Sequence, residues 1–326
     1  MRPGPFSLIV RILITGGFGF IGGRLAVHLA QAGHQIILGT RHLITPPDWL
    51  SQAEVAKIDW DDAEVLERSC DGIDVIIHAA GMNAQDCIAD PAAALVFNGA
   101  ATAHLVASAC RATVKQFIYL STAHVYASPL VGIITEETCP NNSHPYATSH
   151  LAGEHAVLTA SVRAEINGIV LRLSNTFGAP MHKDVSCWTL LVNDLCKQAV
   201  QTRKLVLQSN GLQHRDFICL SEVCCVVEKL IDSDHLTQAK IFNVGAGLSH
   251  SVLEMAQLIQ QRCSKVLGFV PELQHKQCGL DEQPPSLTYC TKNLNTWGIS
   301  IESLGSKAEI DRLLRFCQNA FTQTKS

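Results

Sequence analysis

Residues 15–23 read Thr15-Gly16-Gly17-Phe18-Gly19-Phe20-Ile21-Gly22-Gly23, between an apolar run (Arg11–Thr15) and a segment of helical spacing. Gly16 permits a tight turn out of a strand, Gly19 lets the backbone approach a pyrophosphate, and Gly22 lets helix pack closely on strand. Phe20–Ala32 then places Ile21, Leu25, His28, Leu29 and Ala32 on one helical face, with Gly33 as the stop. The helix start offers unpaired N–H groups and a partial positive charge to phosphates. Phe18, Phe20 and Ile21 belong to the same turn.

Further apolar runs alternate with helical patterns. They are Gln35–Gly39, Val55–Ile58, Val75–Ala79, Gln116–Ser121 and Gly168–Leu173. Continuous rather than alternating apolar strands imply a parallel sheet covered on both faces. The spacing therefore predicts an α/β fold, a Rossmann-type doubly wound parallel sheet with right-handed connections. The pattern changes near Asn175. A helical stretch at Cys187–Thr202, a strand at Leu205–Leu207, an apolar stretch at Phe217–Leu220 and a helix near Ser221–Leu230 follow. We expect residues 1–174 to form the nucleotide-binding domain and 175–326 a smaller mixed α/β substrate lobe. The two are partly interleaved, with a strand near 241–244 returning to the first sheet.

Composition excludes several classes. The chain has 326 residues, 17% of them charged, and a net charge of −4. That argues against a disordered chain and against a nucleic-acid partner, which calls for clustered Lys and Arg. The thirteen cysteines are odd in number and scattered through a long chain, which fits free thiols in a reducing cytosol. No run reaches the ~20 apolar residues of a membrane span. The opening segment reads as the approach to a buried strand rather than a signal peptide. The expectation is a soluble cytoplasmic protein without a membrane partner. No Cys-x-x-Cys or His-Glu-x-x-His spacing points to a metal.

The second predicted strand ends Leu38-Gly39-Thr40-Arg41, without the carboxylate that would bond an adenine-ribose 2′-hydroxyl. Arg41 is either a partner for a 2′-phosphate or a surface residue at a strand end. NAD(P) is the expected cofactor, with NADP(H) slightly favoured.

Further segments carry a resemblance. His78-Ala79-Ala80-Gly81 follows the fourth strand, and Asp59, Trp60 and Asn98 flank it. Ser121-Thr122-Ala123-His124-Val125-Tyr126, Pro145-Tyr146 with Ser149 and Glu154, Leu171–Gly178 and Arg215-Asp216-Phe217 follow. Together with the glycine turn, these segments resemble the extended short-chain dehydrogenase/reductases of the nucleotide-sugar epimerase/dehydratase group. The resemblance implies that Asp59, with neighbouring Trp60, meets the adenine. It places Ala79, Ala80, Gly81 and Asn98 along the cofactor, and Thr122 and Tyr146 at the reacting oxygen. It sets Asn175 and Arg215 toward a substrate diphosphate. A homodimer paired through two helices is also implied.

Three departures bear on chemistry. The family's tyrosine is followed four residues later by lysine, and here His150 stands there, on the same helix face as Tyr146. Histidine has an ordinary pKa near 6.5 and is mostly neutral at neutral pH. His150 therefore holds the ribose through a neutral nitrogen, or is protonated or relays a proton, or marks a site without turnover. Dehydratases of the group carry Asp-Glu after the catalytic Thr, where this chain has Ala123-His124; His124 is an extra acid or a structural residue. This favours a nucleotide-sugar epimerase or 4-keto-sugar reductase over a 4,6-dehydratase. Finally, no arginine lies between Arg262 and Arg312, and Glu282-Gln283-Pro284-Pro285 stands where a diphosphate-clamping arginine is expected. The alternative from another class is a catalytically weak or inactive NAD(P)-binding sensor.

Overall fold

Three consecutive buried residues, Ile12, Leu13 and Ile14, place the first strand at the centre of a sheet rather than at its edge. The computed structural model describes residues 9–42, 44–232, 240–276, 285–301 and 305–322. Its principal strands are β1 (Arg11–Thr15), β2 (Gln35–Thr40), β3 (Glu54–Lys57), β4 (Val75–His78) and β5 (Gln116–Thr122). They are joined by β6 (Asn167–Leu173) and β7 (Lys240–Val244). The sheet order is β7-β6-β5-β4-β1-β2-β3. β3, β2, β1, β4 and β5 pair in parallel throughout.

Register sets the level of the strand ends. Thr15 pairs with Gly39 and with His78, and His78 pairs with Tyr119. Strand order reverses between β1 and β4, and the crevice at the carboxyl ends there is where ligands bind in such sheets.

Among the described residues up to 162, five α-helices build on this frame. They are α1 (Phe20–Gln31), α2 (Ala63–Ser69), α3 (Ala84–Ala89), α4 (Pro91–Arg111) and α5 (Pro145–Val162). Asp90 caps α4 by accepting from the Ala93 N–H, and Pro91 follows at the first turn. The helix widens to π geometry over Leu95–Ala101, a form found often at functional sites. α4 has the length and mean hydropathy of a membrane span, which the sequence reading did not expect, and half of its most apolar window is buried within the protein. His144 accepts from the Tyr146 N–H at the start of α5, whose buried face carries Ala147, Ser149, His150, Gly153, Glu154 and Val157.

The chain divides into two compact units, and they interleave more than a boundary at residue 174 would allow. The first holds Met1–Tyr126, Pro140–Arg172 and Cys224–Phe242, and the second holds Ala127–Cys139, Leu173–Val223 and Asn243–Ser326. The reason lies in strand pairing: Gly132–Ile134 bonds to Leu287–Tyr289 in the second unit, while β7 adds to the large sheet.

Within the second unit, His214–Cys219 pairs in parallel with Asn175–Phe177 and antiparallel with Ser249–Ser251. The helices Leu191–Thr202, Val252–Leu267 and Gly305–Phe321 close over a core containing Leu195, Ile259 and Leu313. The helix expected from Cys187 thus starts at Leu191, and the strand expected at Leu205–Leu207 spans Lys204–Val206. Residues 282–284, expected near a missing arginine clamp, lie outside the described residues. The cysteines among the described residues are all free thiols.

Candidate active site

Gly16 sits at φ 69, and a Cβ there would lie 2.8 Å from the Ala80 nitrogen, so only glycine lets β1 turn against Ala79–Ala80. A Cβ on Gly22 would collide with the Gly16 carbonyl oxygen, so α1 packs directly on the turn. α1 starts at Gly19 with no side-chain cap and no acidic residue in its first turn, which leaves its N–H groups to an incoming anion.

The turn opens onto a cleft of about 990 Å³ in the first unit. Gly16, Phe18, Gly19, Arg41, Asp59, Trp60 and Ala79–Gly81 line it, as the sequence suggested. Phe20, Ile21 and Gly22 do not; they form the start of α1 behind the turn. Asn98 is a correction of another kind. It is buried beside the cleft, and its carboxamide accepts from the Met82 N–H at 2.8 Å and donates to Ser149 Oγ at 3.0 Å. It shapes the wall and does not itself line the cleft. Sequence reasoning missed Ile58, Asp61, Met82, Asp86, Phe97, Ala101 and His104, which also line the cleft. The π turn of α4 presents Phe97 outward and Asn98 inward, and no regular periodicity signals that.

Arg41 reaches over the Phe97 ring, 5.8 Å from its centroid. Asp59 pairs with Lys57 at 3.1 Å, and that bond holds its carboxyl below the usual carboxylate range. The buried Trp60 Nε1 has no hydrogen-bond partner among the described residues. A cleft with glycine-lined turn, uncapped helix start and unpaired indole donor fits a dinucleotide.

Thr122, Tyr146 and His150 come together without lining the cleft, His150 lying next to its lining residue Gly81. Thr122 ends β5, accepts from the His124 N–H at 3.2 Å and bonds to the Tyr146 hydroxyl. Burial pushes the Tyr146 phenol above its ordinary value. His150 packs edge-on against Tyr146, ring centroids 4.6 Å apart. Its Nδ1 lies 2.9 Å from the Tyr119 hydroxyl, and desolvation holds its pKa down to about 4. The imidazole is therefore neutral at physiological pH, which sets aside the protonated form among the sequence-derived alternatives. His124 contributes its backbone to the turn after Thr122.

The expected diphosphate contacts belong to the second unit. Asn175 donates to the Asp216 carbonyl at 2.9 Å, and Arg215 donates to Gln213 Oε1 at 2.8 Å. Asp216 is buried, accepts from Ser174 Oγ at 2.6 Å, and is pushed up to about 6 by desolvation.

Comparison with known proteins agrees with this fold. The profile of the NAD dependent epimerase/dehydratase family matches residues 12–245. The mouse (Mus musculus) protein named dTDP-D-glucose 4,6-dehydratase is 24% identical over 269 residues, covering 78% of this chain and 74% of its own. Among solved structures, MoeE5 in complex with UDP-glucose and NAD superposes with a TM-score of 0.78 at 20% identity, covering 96% of this chain and 100% of its own. RMD from Pseudomonas aeruginosa, complexed with NADPH, does so with 0.73 at 21% identity, over 95% and 99%. Because a named dehydratase is among the relatives, the comparisons do not support setting dehydration aside; that reading stands on Ala123-His124 alone.

Proposed function

Because the chain belongs to the NAD dependent epimerase/dehydratase family, we propose that it reduces the carbonyl of a nucleotide-activated 4-keto sugar with NADPH, Tyr146 serving as the proton donor. The observation that carries this reading is the uncharged surroundings of Tyr146. A phenol acts as a base at neutral pH only when a nearby cation lowers its pKa. Here the neighbour four residues on is a neutral imidazole, and the phenol is raised. Tyr146 begins protonated, as an acid and not a base.

The residues divide the work. The start of α1 and the Gly16–Gly19 turn hold the pyrophosphate, and Arg41 pairs with a 2′-phosphate where no carboxylate would repel it. A bound nicotinamide supplies hydride to the carbonyl carbon. Thr122 accepts from the His124 N–H and donates to the Tyr146 oxygen, which leaves the Tyr146 hydrogen directed at the substrate oxygen as it gains charge. No carboxylate follows Thr122 to remove a proton and expel water, since Ala123-His124 stand there. Asn175 and Arg215 are assigned to the substrate's nucleotide half. The exposed apolar side chains of Ile88, Leu95 and Val162 support pairing of two copies through α3, α4 and α5.

The test begins with release and identification of any nucleotide that co-purifies, followed by NADPH-oxidation assays against 4-keto nucleotide sugars. Consumption of NADPH that disappears in Tyr146→Phe is the expected result. Stoichiometric bound NAD with epimerisation of the parent sugar and no net cofactor use would replace the reductase by an epimerase.

A further inference from the structure

Asn175 and Arg215 stand on two strands of the second unit that pair in parallel, Asn175–Phe177 beside His214–Cys219. The register sets Asn175 against Phe217 and Phe177 against Cys219. Where the shorter strand begins, the pair is joined by its own side chains. Ser174 Oγ donates to Asp216 Oδ1 at 2.6 Å, and Asn175 Nδ2 donates to the Asp216 carbonyl at 2.9 Å. At the carboxyl ends the link comes from the last helix of the unit. Glu309, 2% exposed on the helix Gly305–Phe321, accepts from the Ala179 N–H at 3.0 Å and from the Ser221 hydroxyl. Ala179 lies two residues beyond Phe177, and Ser221 lies two beyond Cys219.

The chain is shaped to admit this carboxylate. Gly178 has φ 150, and a Cβ there would stand 2.6 Å from Glu309 Oε1 and 3.1 Å from its Cγ. A side chain at Gly178 would therefore push the acid away from Ala179. Asn193 fixes the same glycine from the helix Leu191–Thr202, accepting from its N–H at 3.2 Å and donating to its carbonyl at 2.9 Å. An ionised carboxylate only accepts, and the bonds it receives from neutral donors are charge-assisted. Its charge falls at the first turn of the helix Leu220–Ile231, where backbone N–H groups favour an anion. Ile310, Leu313 and Leu314 already dock the helix Gly305–Phe321 on the core. Glu309 adds direction to that docking, at a cost in desolvation that an apolar residue would not incur.

We infer that Glu309 is a positioning residue: it clasps the carboxyl ends of the two strands that carry Asn175 and Arg215, and so fixes the spacing of those side chains for the nucleotide half of the substrate. The inference rests on the nucleotide-sugar reading above. In it, Glu309 touches neither substrate nor cofactor and acts through the two strands.

The test compares binding by the full chain, with UDP-glucose, dTDP-glucose and NADPH as probes in separate titrations. Glu309→Ala should weaken the sugar nucleotide that the unaltered protein binds about tenfold, and leave NADPH binding alone. Glu309→Gln keeps an accepting oxygen for Ala179 and offers Ser221 a donor, so affinity should return to within about threefold. With Arg215→Ala already in place, Glu309→Ala should cost only about threefold more, because part of its effect passes through Arg215. Asp311→Asn weakens the pair that the same helix makes with Arg262 Nε at 2.7 Å, away from the strand ends. It should lower stability and leave sugar-nucleotide affinity unchanged. Where Glu309→Ala does not fold, Ser221→Ala deletes one strand-end donor and should weaken the same probe about threefold. Unchanged affinity in folded Glu309→Ala or Ser221→Ala overturns the positioning role. So does an equal loss of NADPH, the same loss in Asp311→Asn, no recovery in Glu309→Gln, or a full further loss beside Arg215→Ala. Failure of the unaltered protein to bind either sugar nucleotide overturns the nucleotide-sugar reading itself.

Discussion

Two buried polar groups lie one turn apart on α5 and are handled in opposite ways. Glu154 is charged, and Arg172 meets it with two donors, Nε at 3.0 Å and Nη2 at 2.6 Å. Ser121 adds a third bond at 2.5 Å, and the Arg172 guanidinium lies over the Tyr126 ring at 4.7 Å. His150 is met only by uncharged partners and stays neutral. Buried charge is tolerable where a bidentate partner answers it, and a lone ionisable group in the same interior gives up its charge instead. The charged pair ties α5 to β5 and β6 and so carries Tyr146 rigidly, while the neutral end leaves Tyr146 a proton to give.

Each side of that contrast can be attacked. Tyr146→Phe removes the acid itself. The rate should fall by about 10²–10⁴ with NADPH affinity unchanged, read by steady-state kinetics and a binding titration. A residual rate within a few-fold of the original would end the assignment of Tyr146.

Glu154→Ala leaves Arg172 buried without its partner and should cost about 3–5 kcal/mol of stability by urea unfolding. Replacing both Glu154 and Arg172 by methionine should recover most of that loss, since apolar residues of similar length need no counter-charge. A double variant as unstable as the single one would contradict the pair's role.

His150 makes a pH prediction. Its pKa is about 4 in the folded protein against about 6.5 unfolded. The unfolded chain binds the extra proton in between, so stability rises with pH across that window and is lost as pH falls through it. Asp216, pushed up to about 6 from 3.8, works in the opposite direction, losing stability as pH rises through much of the same window. Comparison with His150→Gln leaves Asp216 common to both proteins. The stability difference, original minus variant, should shrink by about 3 kcal/mol on acidification from neutral pH to the folded-state pKa. A difference that does not change with pH would mean His150 is not buried neutral.

The smallest effect belongs to Arg41. Arg41→Ala should weaken NADPH binding about tenfold through loss of a charge-assisted bond and leave NADH binding alone. Equal loss for both cofactors would make Arg41 a partner of Phe97 only.

Much of this was legible in the residues. The Gly16–Gly22 turn, the boundaries of β1 and α1, and the meeting of Thr122 with Tyr146 follow from local spacing, because periodicity and steric demands act within a few residues. Asn98 was misjudged for the converse reason. Its identity suggested a ligand contact, while the partners that occupy its amide, Met82 and Ser149, arrive from other parts of the chain. Phe97 was missed because a π turn rotates side chains away from their regular faces. The change of unit near residue 174 was legible, and what the sequence did not signal is the excursion of Ala127–Cys139 into the second unit, where Gly132–Ile134 pairs with a strand more than 150 residues away.

By itself, then, the sequence determined the α/β class, the turn that receives phosphates, and the four-residue spacing that puts a histidine beside Tyr146. Only the tertiary structure decided that this histidine is uncharged. Charge state depends on desolvation and on which partners stand within 3 Å, and here those partners come from β5 through the register that levels Tyr119 with His78. They reach His150 because α5 carries no side chain at Gly153.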